Sequence, residues 1–279
     1  MSRHWSRTTV DECRLLGRSS EDHRRPKLAQ DLHLVVHLAG KAHSIPKTDK
    51  ESREFYDVNL NGTINLFEGI KHNCSPKTRV IFVSTVAVYG LEEGENILEN
   101  QASNPKTPYG LSKFQAEKWL TEFADNSNIK LTILRLPLVV GPKAKGNLGA
   151  MLSAIRKGRY FSIGDGTARK SMVLANDIAD LISSDNLKSG IYNLTDGLHP
   201  SFRELEMAIV SHNDCRKIKK ISKSMAKFIG LFGDVLGSRF PVNSQTIKKM
   251  TTSLTFDDIK ARKEMNWSPR SVLSDSSWL

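Results

Sequence analysis

RVIFVST, residues 79–85, is a run of β-branched and aromatic residues that ends on two hydroxyls. A nearly continuous apolar run of this length fits a strand buried on both faces of a parallel sheet. LHLVVHL (32–38) and KLTILRL (130–136) have the same texture. Between the first two runs, residues 51–72 read as a helix with Phe55, Val58, Leu66 and Ile70 among its apolar positions. After RVIFVST, Thr107 can cap a helix that has Pro108 at its first position. That helix carries Leu111, Phe114, Trp119, Leu120 and Phe123. Strand–helix–strand–helix–strand predicts an α/β fold with a doubly wound, Rossmann-like parallel sheet. Ligands of such sheets bind beyond the carboxyl ends of the strands. Here those ends are Ala39-Gly40, Ser84-Thr85 and Arg135 to Pro137.

The capped helix begins TPYGLSK (107–113), which sets Tyr109 and Lys113 one turn apart on one helix face. An ammonium beside a phenol favours the phenolate and lowers a pKa that is ordinarily about 10. The phenol would then serve as an acid/base near neutral pH. Thr85 or Ser84, at the end of the neighbouring strand, can hydrogen-bond the same substrate oxygen. This set suits proton transfer at a carbinol or carbonyl coupled to hydride transfer. Side chains do not carry hydride, so a nicotinamide cofactor, NAD or NADP, is implied.

The 279 residues are 39% hydrophobic and 25% charged, ordinary for a soluble globular protein. No stretch is long and apolar enough for a membrane span, and the first residues lack a signal-peptide core. The three cysteines, Cys13, Cys74 and Cys215, form no CxxC, which argues against a disulfide framework or a metal site and fits a cytoplasmic location. The net charge of +11 is spread along the chain without interleaved aromatics. It therefore suits a small anionic substrate better than nucleic acid. His37 sits inside an apolar run and reads as a satisfied core histidine. From about residue 141 the strands shorten and Gly and Pro become frequent, so 141–279 reads mainly as a smaller substrate-binding lobe. Within it, Ile218, Ile221, Met225, Phe228, Ile229 and Phe232 recur at helical spacing. That segment reads as a core-facing helix with a solvated lysine face, the alternative being a helix for a membrane surface or a partner.

VVHLAG (35–40), NLNGTINL (59–66), VSTVAVYG (83–90), NPKTPYGLSK (104–113), LRLPLVVGP (134–142) and FDDIKARKEMNWSP (256–269) occur in one order along the chain. In this the sequence resembles the extended short-chain dehydrogenase/reductases, the NAD-dependent epimerase/dehydratase group. It is most similar to their UDP-glucose 4-epimerase and UDP-4-keto-hexosamine reductase branch, which serves surface polysaccharide synthesis. The resemblance implies Tyr109 as catalytic acid/base and Lys113 as the holder of the nicotinamide ribose, with Thr85 at the family's Ser/Thr position and Ser84 beside it. It implies Ala39, Gly40, Lys41 and Asn59 along the cofactor, with Leu136 and Pro137 packed near the nicotinamide. It implies Asn147 at the nucleotide, and Arg169 or Lys170 at the diphosphate of a nucleotide-diphospho-sugar. It also implies a homodimer. It leaves epimerase and 4-keto reductase open.

The family opens with a strand and a Gly-x-x-Gly-x-x-Gly turn that brings the backbone to the cofactor pyrophosphate. Residues 1–34 contain Gly17 alone and the charged run SSEDHRRPK. GDGTARK (164–170) comes late and has no evident strand before it. Residues 1–31 are therefore expected to be atypical and disordered, and 32–140 to form an incomplete, N-terminally truncated NAD(P)-binding domain. Weak dinucleotide affinity and poor stability would follow. The alternative function is a non-catalytic sugar-nucleotide-binding or regulatory relative that has lost the cofactor.

Overall fold

A computed structural model describes residues 31–42, 44–142, 146–213, 218–236 and 242–279. Most of the expected atypical segment 1–31, together with Cys13 and Cys215, lies outside the described residues.

The three apolar runs are strands β1 (Leu34–His37), β2 (Arg79–Thr85) and β4 (Lys130–Leu136). They lie side by side in the order β1-β2-β4-β8 and pair in parallel throughout. The fourth strand, β8 (Gly190–Asn193), comes from the region read mainly as a substrate lobe, so the later chain completes the main sheet. Alternation along the strands divides the core. Ile81 and Leu134 face one cluster with Tyr192, Leu194 and Trp267. Phe82 and Ile133 face the other, with Phe67, Leu120 and Phe123. The late NWSP segment thus folds back on the main sheet, and Trp267 Nε1 donates to the Thr195 carbonyl at 2.9 Å.

β2 and β4 are buried as expected, but β1 is not buried on both faces. Among the described residues it has one neighbour, β2, and Leu34 is half-exposed while His37 is buried.

Thr48 caps α1 (Asp49–Tyr56), which runs on through a π-helical turn, Asp57–Asn61, into α2 (Gly62–Ile70). Thr107 Oγ1 accepts from the Gly110 amide at 3.1 Å and starts α3 (Pro108–Ser127), which ends at Asn128 in the left-handed conformation. Three parallel pairs flank the main sheet. They join β3 (Gly94–Ile97) to β10 (Leu254–Phe256), β5 (Leu138–Val140) to β7 (Met172–Leu174), and β6 (Phe161–Ile163) to β9 (Lys219–Ile221). GDGTARK therefore does follow a strand, β6. It leads into an isolated bridge and β7 rather than a helix, so no phosphate-binding helix terminus is built there.

The expected core-facing basic helix is corrected in two ways. Its first part is strand β9, and the helix proper is α7 (Lys223–Leu236). It packs against α8 (Ser244–Thr251) through its small residues, burying Ala226, Gly230 and Gly233. A Cβ on Gly230 would lie 3.0 Å from Ser244 Cα, so a larger residue would push α8 back by a few tenths of an ångström. With the small side inward, Met225 and Phe228 face outward.

Candidate active site

Parallel pairing aligns the strand ends. His37 sits opposite Phe82, Thr85 opposite Leu136, and Arg135 opposite Asn193. Thr85 leaves β2 and caps a 3-10 turn, Val86–Tyr89, its hydroxyl accepting from the Ala87 amide at 3.2 Å. The start of α3 lies against this turn. A Cβ on Gly110 would come 2.8 Å from the Ala87 carbonyl oxygen, so glycine lets the helix approach and carries Tyr109 to Thr85. The Thr85 side chain is close enough to the Tyr109 phenol to favour its ionised form.

Lys113, one turn along α3, is buried with its ammonium 3.9 Å from the centre of the Phe82 ring. Burial lowers its pKa to about 8, and the Glu117 carboxylate acts in the opposite direction. The expectation of a phenol acidified by this lysine is corrected here. Burial pushes Tyr109 up, and Thr85 offsets that only in part. The ammonium lies over the Phe82 face, where it is stabilised by the ring and by Glu117.

Ser84 does not join Thr85 at the site. Adjacent strand residues face opposite sides, and the Ser84 hydroxyl donates to Glu117 inside the core. Glu117 also holds Arg135, with Nη2 to Oε2 at 2.7 Å and both side chains 4% exposed. The Arg135 guanidinium lies 4.7 Å from the Tyr89 ring centre, and Tyr89 donates to Asn193 Oδ1 at 2.8 Å. Sequence reading missed this network. Its signal was present, because Tyr109, Lys113 and Glu117 stand at i, i+4 and i+8 on one helix face.

On the β1 side, Ala39 and Gly40 are exposed just past the strand end. Asn59 lies in the π-turn and is fully buried. Its Oδ1 accepts from the Lys41 amide at 2.7 Å, and its Nδ2 donates to the Lys41 carbonyl and to Ser112 Oγ. Asn59 thereby ties the β1–α1 loop to the helix that carries Tyr109. The Lys41 side chain pairs with Glu54. Leu136 is packed in the core with Leu134 and Val173, whereas Pro137 is half-exposed.

His37 is a core histidine, as expected. It hydrogen-bonds Thr63 Oγ1 at 2.8 Å and packs on Phe67 and Phe82. Burial, and secondly the charge of Lys113, lower it to about 4 from 6.5. As pH falls, the unfolded chain therefore takes up this proton first. The contribution of neutral His37 is complete above pH 6.5 and lost as pH falls to about 4, at most about 3 kcal/mol. Thermal denaturation across that window should show the native protein losing stability more steeply than His37→Gln.

Of the residues expected at a diphosphate, Arg169 is held at the surface by the His199 carbonyl at 3.0 Å and by Glu204. Lys170, which forms a separate bridge with Leu254, is half-buried, and burial and then Lys249 of α8 lower its pKa to about 8. It pairs with Leu254 of β10, whose Phe256 stacks on Tyr89 at 5.5 Å. This connects Lys170 to the Thr85 end of β2. Asn147 stands exposed in the first turn of α4 (Gly146–Arg156), apart from these contacts. Among the described residues no group of His, Cys, Asp and Glu is placed to hold a metal.

A sequence model of the NAD dependent epimerase/dehydratase family matches residues 4–194. A protein of Escherichia coli O157:H7, an N-acetyl-alpha-D-glucosaminyl-diphospho-ditrans,octacis-undecaprenol 4-epimerase, is 32% identical over 74% of the chain. The chain spans 65% of that protein's length. A Vibrio cholerae UDP-glucose 4-epimerase is 29% identical over 87% of the chain and 74% of its own length. Among solved structures, the Thermotoga maritima UDP-glucose 4-epimerase with UDP-glucose superposes with a TM-score of 0.67 at 20% identity, covering 88% of this chain and 75% of that one. The Bacillus cereus UDP-glucuronic acid 4-epimerase with UDP-glucuronic acid and NAD does so at 0.67 and 21% identity, over 89% and 74%. At these identities the structural likeness establishes the fold.

Proposed function

Because the chain belongs to the NAD dependent epimerase/dehydratase family, we propose that it inverts C4 of a hexose carried on a diphosphate, with NAD or NADP as resident cofactor. The observation that carries this reading is the close approach of the start of α3 to the Thr85-capped turn, which brings Tyr109 to Thr85 with Lys113 one turn along the same helix. A module that only binds sugar has no use for all three groups.

The residues present suit the nicotinamide end of a dinucleotide. The backbone of Ala39 and Gly40 is open beyond β1, Asn59 fixes the loop that follows, and Lys113 supplies a cation for the ribose hydroxyls. Pro137 borders the same edge. Once bound, the nicotinamide supplies hydride acceptance and return at the sugar C4.

The chain's own residues handle the proton and the diphosphate. Thr85 orients the C4 oxygen, and Tyr109 exchanges a proton with it. Burial holds the phenol neutral, so it is ready to donate to the oxygen of a 4-keto sugar. The reverse step leaves a phenolate, and of the groups around Tyr109 it is Thr85 that favours this form. Lys170, with Lys249 behind it, meets the diphosphate as a point charge. Lys170→Gln should therefore raise KM for the diphospho-sugar by about tenfold or more with little change in kcat. Arg169→Gln should leave both nearly unchanged, because Arg169 is already held by Glu204 and backbone carbonyls. Steady-state kinetics checks both variants.

The relatives offer two carriers for the sugar, a nucleoside and a polyprenol. Incubation of the purified chain with NAD and either UDP-glucose or a polyprenyl-diphospho-N-acetylglucosamine, followed by chromatography of the released sugars, tests the proposal. A C4 epimer from either substrate supports it. Bound NAD with no epimer from either would sink it, and turnover of a 4-keto sugar alone would replace it with the reductase reading.

A further inference from the structure

α7 is turned inside out for a helix of a globular protein. Its buried stripe is Ala226, Gly230 and Gly233, while Met225, Phe228, Leu231 and Val235 are 54%, 74%, 59% and 84% exposed. These four recur every three or four residues and share one side of the helix. An exposed apolar stripe of this extent marks an interaction surface. Lys223 and Lys227 flank it on α7, and Lys219 and Lys220 are exposed on the adjoining strand β9. The one acidic residue of α7, Asp234, is engaged by the Ser244 amide at 3.1 Å.

We infer that α7 docks the protein on an anionic lipid bilayer, lying in the headgroup plane with Met225, Phe228, Leu231 and Val235 among the upper acyl chains and the lysines at lipid phosphates. Charge decides the occupant. A second copy applied through the same patch would set these lysines against their own equivalents. The chain as a whole carries +11. An anionic surface satisfies both faces of the helix at once, the combination that holds an amphipathic helix in the interface. No helix among the described residues is long and apolar enough to cross a membrane. α8, which packs under α7, carries Lys249 beside Lys170.

Co-sedimentation of the full chain with vesicles tests the inference. Binding to vesicles of phosphatidylcholine and phosphatidylglycerol in equal amounts, weakened by salt and absent with phosphatidylcholine alone, is the expected result. Lys223→Gln with Lys227→Gln should bind about thirtyfold more weakly. Phe228→Ser with Leu231→Ser should lose at least about tenfold while its circular dichroism is unchanged, since both side chains are exposed. Tyr109→Phe should bind like the native chain, which keeps this outcome separate from the catalytic reading. The inference is overturned if the native chain does not bind the anionic vesicles at low salt, or if the Phe228/Leu231 variant binds them equally well. It is also overturned if light scattering shows a dimer that this variant dissociates while vesicles are ignored, which would assign the face to a second copy.

Discussion

If the proposed C4 inversion runs through Tyr109, Tyr109→Phe should abolish nearly all turnover, with kcat falling by about 10²–10⁴ and the folded state unchanged. Removing one hydroxyl takes away the phenol that lies beside Thr85. The ring stays, and with it the packing against Phe55 at 6.2 Å. KM should move little, because Lys170 and the diphosphate are untouched. Stopped-flow or chromatographic assay of C4 inversion, alongside a melting curve, separates the chemical loss from unfolding. A variant that keeps even a tenth of native turnover would remove Tyr109 from the proton-transfer role.

Glu117→Ala is expected to produce the largest loss of stability, about 3–5 kcal/mol. The Arg135 guanidinium, 4% exposed, would be left without its carboxylate in the core, and Ser84 would lose its acceptor. For a chain of this size that corresponds to a fall in Tm of roughly 10 °C. The double variant Glu117→Leu, Arg135→Met should recover much of the loss, because removing both charges also removes their desolvation cost. Calorimetry of the single and double variants tests this. Equal melting of Glu117→Ala and the native chain would mean that the pair is solvated in solution.

Local pattern carried the reading of the sheet and of the site helix. RVIFVST, KLTILRL and the Thr107–Pro108 cap declare themselves within a few residues, and the structure keeps β2, β4 and α3 where those signals put them. Tyr109 and Thr85 were legible for the same reason, since each is fixed by its place at an element end. Ser84 was misassigned because composition marks a hydroxyl at a strand end, whereas the pleat decides which side it faces. The outward turn of α7 was hidden because an amphipathic period gives no sign of which face packs. There the small residues, not the large ones, were the guide. The acidified phenol failed for a subtler reason. Helical spacing brings Lys113 near Tyr109, but the final position of a long, flexible ammonium depends on Phe82 and Glu117, which lie far off in sequence or a further turn along.

The π-turn at Asp57–Asn61 winds one extra residue into an otherwise continuous helix. It behaves as a built-in phase shift of about 100° between the part that starts at Thr48 and the part that ends near Ile70. Deleting a single amino acid there would let the helix close into regular α-form and would swing Asn59 off the loop it clasps. The tie between the β1–α1 loop and α3 thus depends on chain length at one spot, a dependence that substitutions at the same position would never reveal.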